Sequence, residues 1–463
     1  MLALRPYQTQ AVADIRAAYR TGSTAVCYQL PTGGGKSLVF AYIAQAAALK
    51  DKRIWVVVHR KELVRQASRL LDTMGLSHGV IAAGYTPYRI RQIQVSSVQT
   101  LVRRLETCGA VDLLVVDECH HVLAGSYRKI LEARPAARVL GVTATPARLD
   151  GRGLGEIFQT LVVGPAIPDL VAGNFLAPTI TYAPPPVADL SGLHIRAGDF
   201  EQKEIAAKMD KPTITGDAIA HYRRLCNHVP AIAFTVSRAH AAHVAAQFKA
   251  GGYRFENIDG TMPDDIRDQL IRRLGFGDLD GLVSCELIGE GVDIPVCGAA
   301  ILLRPTASMT VHLQQIGRVM RPAPGKTRAV ILDHVGNTLR HGLPDEPREW
   351  SLEGKRRKVG AVSEHSIKMR QCEQCYCVHP PAPQCPECGY VYPVIVRQPE
   401  QVEGELRPMS VADVLAIREA RHLAVRRART REELLAIAKA RGYKSGWVQY
   451  VLHARRGRQG ARA

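Results

Sequence analysis

The sequence predicts two tandem α/β lobes built on parallel sheets, followed by a cysteine ribbon and a small helical tail. Three observations carry that expectation. Two successive series of short apolar runs are separated by helix-length stretches, a glycine-rich turn follows the first run directly, and paired cysteines cluster late in the chain. Near-continuous Val, Ile and Leu without polar alternation marks strands buried on both faces of a parallel sheet. At 463 residues the chain exceeds a single ordinary core, and 46% hydrophobic residues place it among globular proteins. No apolar run is long enough to span a bilayer, and Met-Leu-Ala-Leu-Arg-Pro lacks the basic-then-apolar order of a secretory leader. The expected setting is therefore the cytoplasm, with no membrane partner.

The first series places strands at 24–30, 54–58, 93–97, 113–116 and 139–143, within a first lobe over residues 1–160. Residues 161–215, with Pro184-Pro185-Pro186, read as a connecting segment. A second series at 231–235, 255–258, 281–284, 299–303 and 329–332 repeats the architecture within a second lobe over 216–343. A charged linker (344–366), a ribbon (367–395) and a basic helical tail (400–463) complete the expected order.

The first strand runs into Pro31-Thr32-Gly33-Gly34-Gly35-Lys36-Ser37 and then a helix. Glycines let backbone N–H groups wrap a phosphate, Lys36 reaches the outer phosphates, and the Ser37 hydroxyl ligates magnesium. The strict phosphate-loop pattern wants Gly where this chain has Leu30. Downstream, Leu113-Leu114-Val115-Val116-Asp117-Glu118-Cys119-His120 ends an apolar strand in two carboxylates. Asp117 is expected to hold magnesium and Glu118 to orient or deprotonate a water. An Asp-Glu pair after a strand is common; after a phosphate loop it is the second half of an ATP site.

With these two motifs the chain resembles the DExH branch of helicase superfamily 2, and the bacterial and phage XPB-like helicases in particular. Arg5-Pro6-Tyr7-Gln8 resembles that family's adenine-reading motif, and Val58-His59-Arg60-Lys61-Glu62-Leu63 and Ser96-Ser97-Val98-Gln99-Thr100 resemble its strand-contacting motifs. Thr143-Ala144-Thr145-Pro146, Gly289-Glu290-Gly291-Val292-Asp293 and Gln314-Gln315-Ile316-Gly317-Arg318-Val319-Met320-Arg321 follow in the family's order. The resemblance implies two RecA-like lobes with ATP between them. It implies Lys36, Asp117, Glu118, Arg318 and Arg321 as catalytic groups. Nucleotide contacts would come from Gln8, Thr32, Gly33, Gly34, Gly35, Ser37 and Asp293. His120, Thr143 and Thr145 would couple hydrolysis to strand movement. Candidate strand contacts are Arg60, Ser97, Gln99, Ser237 and Arg238, each equally readable as a surface or capping residue.

Cys372-Glu373-Gln374-Cys375 and Cys385-Pro386-Glu387-Cys388 form two knuckles that can aim four thiolates at one zinc ion. Cys377 is a spare or competing ligand. The ribbon either grips nucleic acid or staples a small domain without a core of its own. In the tail, Ser410-Val411-Ala412-Asp413 and Thr430-Arg431-Glu432-Glu433 read as capping boxes opening short helices. The formal charge of +18 favours a polyanion. The expected function is an ATP-dependent helicase or translocase on DNA, single-stranded or forked, in a bacterial or phage nucleoid. ATP, Mg²⁺ and Zn²⁺ are the implied cofactors, and the tail is a candidate dock for replication or repair proteins. An RNA-dependent ATPase, or an ATP-gated clamp that recruits partners without unwinding, are the competing readings.

Overall fold

A computed structural model describes residues 2–86, 90–147, 153–183, 193–196, 198–209, 212–285, 294–353, 369–393 and, in the tail, most of 427–449 with 416, 419–420, 423–425 and 451–452. Residues up to Tyr392 form one compact unit and those from Pro393 a second.

The first sheet consists of β1 (Ala25–Gln29), β2 (Ile54–Val58), β3 (His78–Ile81), β4 (Ile93–Ser97), β5 (Leu113–Asp117), β6 (Arg138–Thr143) and β7 (Thr160–Val163). Their order is β3-β4-β2-β5-β6-β1-β7, and every pairing is parallel. Every residue of β1, β2, β4 and β5 is buried, as expected for strands with helices on both faces. Three residues of β7 are half-buried and one is exposed, and neither β7 nor β3 was among the expected strands. Gly141 on β6 sits opposite Cys27, and a Cβ there would lie 2.3 Å from the Phe158 ring and 2.8 Å from Cys119 Sγ. The bare backbone lets Phe158 and the Cys27–Cys119 contact close over the strand.

The second sheet begins inside the stretch expected to be only a connector. β8 (Thr179–Tyr182) runs parallel beside the last strand of the second lobe. A short antiparallel pair, β9 (Ile195–Arg196) and β10 (Asp199–Phe200), follows. Asp199 ties it to the second lobe by accepting from Arg304 Nη2 (3.1 Å), Thr306 Oγ1 (2.8 Å) and the Ala307 N–H (2.7 Å). Then come β11 (Ala231–Phe234), β12 (Phe255–Ile258), β13 (Gly281–Ser284), β14 (Ala299–Leu302) and β15 (Ala329–Asp333). The six-stranded order is β12-β13-β11-β14-β15-β8, again parallel throughout.

β16 (Arg370–Gln371) and β17 (Val378–His379) pair antiparallel in the cysteine ribbon, which covers the edge at β8. The Ala183 N–H donates to the Tyr376 carbonyl (3.0 Å), and Glu387 accepts from Tyr182 (3.0 Å) and from Arg328 (3.2 Å). An open parallel edge would otherwise present unpaired backbone groups. In the second unit the helix Arg431–Ala440 starts at the expected Thr430 capping box. Its inner face joins Ala428, Leu434, Ala438 and Val448 in a small core. The box at Ser410 lies outside the described residues. Among those described, no helix is long and apolar enough to cross a membrane.

Candidate functional site

The phosphate loop connects β1 to the helix Lys36–Ala48. Gly33 and Gly35 hold φ of +87° and +89°, a region open to glycine at little cost. A side chain would also collide with the surroundings: a Cβ on Gly35 would lie 2.4 Å from Gln8 Nε2, and one on Gly34 2.8 Å from Leu30 Cγ. Leu30 is fully buried beneath the loop, so the residue that breaks the strict glycine pattern acts as its floor, and its carbonyl accepts from Lys36 Nζ at 3.2 Å. Burial lowers the Lys36 pKa, Glu118 and Asp117 oppose this, and Arg318 and Arg321 add to it. All four charged groups, two from each lobe, therefore act electrostatically on one ammonium.

Before the loop, the helix Pro6–Arg20 brings Tyr7 and Gln8 onto it. Tyr7 Oη donates to the Gly34 carbonyl (2.7 Å), as does Gln8 Nε2 (3.2 Å), while Gln8 Oε1 accepts from the Arg5 N–H (2.9 Å). Phe175 meets the Tyr7 ring edge-on at 5.2 Å, with the Arg5 guanidinium 4.7 Å over its own ring. The sequence reading missed Phe175 because it lies in the supposed connector, where no periodicity marks it.

β5 delivers Asp117 and Glu118 beside the loop. Glu118 adopts the left-handed conformation (φ +49°), uncommon for a residue with a Cβ, and its N–H donates to Asp117 Oδ1 at 3.0 Å. His120 Nδ1 lies 3.3 Å from Glu118 Oε2 and 3.2 Å from Thr143 Oγ1. The Thr143 hydroxyl donates to the Thr145 carbonyl (3.0 Å), which leaves its oxygen to accept from His120 Nδ1–H. Thr145 Oγ1 then meets Thr310 Oγ1 of the second lobe at 2.8 Å. A polar chain thus runs His120–Thr143–Thr145–Thr310, with the Glu118 carboxylate 3.3 Å from its His120 end.

From the second lobe, the helix Met309–Gly317, capped by Ser308, ends at Arg318. Arg318 is buried and Arg321 half-buried at the phosphate loop, where Gly317 abuts Thr32. The Lys326 ammonium accepts nothing and donates to the Arg321 carbonyl (2.7 Å), the Cys297 carbonyl (2.6 Å) and the Pro295 carbonyl (3.2 Å). Among the described residues Thr32 Oγ1 is buried without a partner. That hydroxyl and a glycine cradle without room for Cβ atoms fit a nucleotide phosphate. Asp293, with Gly289–Val292, lies outside the described residues.

The candidate strand contacts lie on both lobes. Ser97 Oγ caps the helix Val98–Arg103 and Ser237 Oγ the helix Arg238–Ala250, so both hydroxyl oxygens serve as caps. Gln99 Nε2 donates to the His59 carbonyl (2.9 Å), Arg60 is half-buried and Arg238 exposed.

The thiol sulfurs of Cys372, Cys375, Cys385 and Cys388 lie within 4.8 Å of one another. Cys372–Cys388 and Cys375–Cys385 approach to 3.6 and 3.7 Å. Sulfurs about 2.3 Å from a tetrahedral ion would stand about 3.8 Å apart, so the set fits a metal. Against the effect of burial, the backbone N–H groups of Cys375 and Gln374 hold the Cys372 thiol down to about 6. Cys377 is not among the four sulfurs that meet, and burial pushes its thiol up to about 12.

Fold and site together define a two-lobed nucleotide-driven motor. Residues 1–148 match the family of the type III restriction enzyme res subunit, and residues 219–323 match the helicase conserved C-terminal domain. A 51.5 kDa protein of a Lactococcus phage is 32% identical over 382 residues, 82% of this chain and 81% of that protein. The putative ATP-dependent helicase IRC3 of Saccharomyces cerevisiae is 28% identical across 72% of this chain, which spans about half (51%) of the yeast protein. Among solved structures, a fragment of a putative HsdR subunit of a type I restriction enzyme from Vibrio vulnificus superposes with TM-score 0.59 at 21% identity, covering 74% of this chain and 67% of that one. The type ISP restriction-modification enzyme LlaBIII bound to DNA superposes with TM-score 0.54 at 18% identity, over 72% and 28%. The chain belongs to superfamily 2 of the ATP-dependent helicases.

Proposed function

We propose that this protein hydrolyses ATP between its lobes and uses the cycle to move along DNA or part its strands. The observation that carries the reading is the closed constellation of Lys36, Asp117 and Glu118 from one lobe with Arg318 and Arg321 from the other. DNA is favoured by the +18 charge, by the printed description of LlaBIII as bound to DNA, and by the resemblance to XPB-like helicases.

The loop N–H groups and Lys36 hold the phosphates, and Glu118 orients the attacking water and takes its proton. The Arg318 and Arg321 guanidiniums meet the charge that develops on the transferred phosphoryl group. Ser37 and Asp117 would hold magnesium, which would supply neutralisation of phosphate charge. Because the Glu118 carboxylate lies 3.3 Å from the His120 end of the chain through Thr143 and Thr145 to Thr310, a change in its charge acts on the contact between lobes through His120. That chain is the proposed coupling route, and Arg60, Gln99 and Arg238 are the proposed strand grips. Four thiolates hold zinc in the ribbon, which acts chiefly as a cap on the second sheet.

The test is ATP hydrolysis without nucleic acid and with single-stranded DNA, duplex DNA or RNA, alongside Glu118→Gln. DNA should stimulate the wild type, and the variant should lose about 10²–10⁴-fold. Stimulation by RNA alone would transfer the activity to RNA, and indifference to every nucleic acid would sink the motor.

A further inference from the structure

Besides the contact at the phosphate loop, the lobes meet a second time, between the helices Lys61–Thr73 and Asp264–Gly275. The first follows β2 and the second follows β12, so this contact shares no element with the phosphate loop or the helix Met309–Gly317, and its first residue, Lys61, adjoins the candidate strand grip Arg60. Lys61 Nζ donates to Asp264 Oδ2 at 2.9 Å, Arg65 pairs with the same carboxylate, and Arg69 Nη2 reaches Asp268 Oδ2 at 3.4 Å. Between them the polarity reverses: Glu62 of the first lobe accepts from Arg267 of the second, which also pairs with Asp264. Arg267 is only 6% exposed, which limits the solvent screening of its two pairs.

We propose that these residues form an ionic latch that sets the register of the closed lobes, so that Glu62, Asp264 and Arg267 are positioning residues for Arg318 and Arg321. The inference rests on the motor reading above. Its physical basis is the reciprocal pattern. Asp264 of the second helix sits between Lys61 and Arg65 of the first, and Arg267 of that same second helix sits against Glu62 of the first. A slide of one turn would leave Asp264 and Asp268 facing cations, since Lys61, Arg65 and Arg69 recur every four residues, but it would take Arg267 away from Glu62, so the reversed Glu62–Arg267 pair is what fixes the register. Two separated contacts also resist rotation of one lobe on the other, which a single hydroxyl bond at Thr145–Thr310 does not. Since most of the pairs are part-exposed, closure without nucleotide depends on ionic strength.

The experiment combines small-angle scattering of the nucleotide-free protein with ATPase kinetics, for wild type, R267E, the swap E62R/R267E and the neutral double variant D264N/D268N. Wild type should expand as salt rises from about 0.05 M to 0.5 M, where the Debye length shrinks about threefold. R267E and D264N/D268N should be expanded already at low salt, and their kcat should fall about tenfold, a change worth about 1.4 kcal/mol. The KM for ATP should move less than threefold, because the phosphate loop is intact. E62R/R267E should recover part of both losses, because it restores the pair between the lobes but not the Arg267–Asp264 contact, and a purely structural role would give no recovery. Wild-type scattering indifferent to salt, R267E as compact as wild type, or a swap that recovers nothing would overturn the latch. Scattering that follows the expected order while no nucleic acid stimulates hydrolysis would uphold the latch and remove the motor reading.

Discussion

Gly317 and Gly141 lack side chains for opposite reasons, and the difference separates catalysis from stability. A Cβ on Gly317 would lie 2.4 Å from Thr32 Cβ, across the lobe boundary. Within its own lobe the alanine is tolerated, since helices favour Ala over Gly by about 1 kcal/mol. Gly317→Ala should therefore leave the melting temperature unchanged or slightly raised, while nucleic-acid-stimulated kcat falls at least about tenfold by the arithmetic of 1.4 kcal/mol per decade; an unchanged kcat would show that closure does not need that contact. A Cβ on Gly141 meets Phe158 and Cys119 inside one lobe. Overpacking of this kind costs about 1–3 kcal/mol, so Gly141→Ala should lower stability in denaturant titrations. Thr145→Val keeps the shape but removes the hydroxyl that meets Thr310. It should retain basal hydrolysis and lose stimulation by DNA, as assayed in the same ATPase series.

At the scale of elements, the ribbon and β8 depend on one another. The sheet edge at β8 is covered by a segment whose own hydrophobic content is small, and whose shape depends on four sulfurs meeting at one point. Chelation of the metal should therefore lower the melting temperature of the whole first unit and increase proteolysis after residue 182. The Tyr182–Glu387 hydrogen bond contributes about 1 kcal/mol in this kind of setting, so Tyr182→Phe should give a small fraction of the chelation effect. Equal melting with and without chelator would show that the ribbon is an ornament on the lobe. The calorimetric trace, free of any activity readout, decides between these outcomes.

At the scale of the molecule, the second lobe buries two histidines whose pKa values are lowered, and this sets an acid limit. Burial first, then the neighbouring His221, pushes the His334 pKa down from 6.5 to about 3. His312 is also lowered, by burial first and then by His341. A depressed base is unprotonated in the fold and protonated when unfolded. Stability is thus fully present above the unfolded value of 6.5 and is lost as pH falls from there toward the folded value. At pH 5 the loss is about 2 kcal/mol for His334, from 1.36 kcal/mol per unit over 1.5 units. Melting at pH 7.5 and pH 5 should differ by that amount more in wild type than in His334→Leu. An equal difference in both would place the acid sensitivity elsewhere.

How much of this was legible in the residue order follows the range of the forces involved. All ten strands read from unbroken apolar runs are present, because burial on both faces writes its signature locally; so do Pro31–Ser37, Asp117-Glu118 and the four paired cysteines, whose chemistry depends on short spacing. β3, β7 and β8, each four residues long and at a sheet edge, were not among the strands read from the sequence. Phe175, Thr310 and the helix 264–275 also went unread. Their partners, Tyr7, Thr145 and Lys61 with Glu62, lie more than a hundred residues away, and no local periodicity records which surfaces meet. By itself the sequence determined two parallel-sheet lobes, a phosphate loop, its carboxylates and a four-cysteine cluster. Only the tertiary structure decided that Leu30 floors the loop, that the ribbon covers the second sheet, and how the two lobes face each other. Those depend on contacts between distant segments, which exist only once the chain has closed on itself.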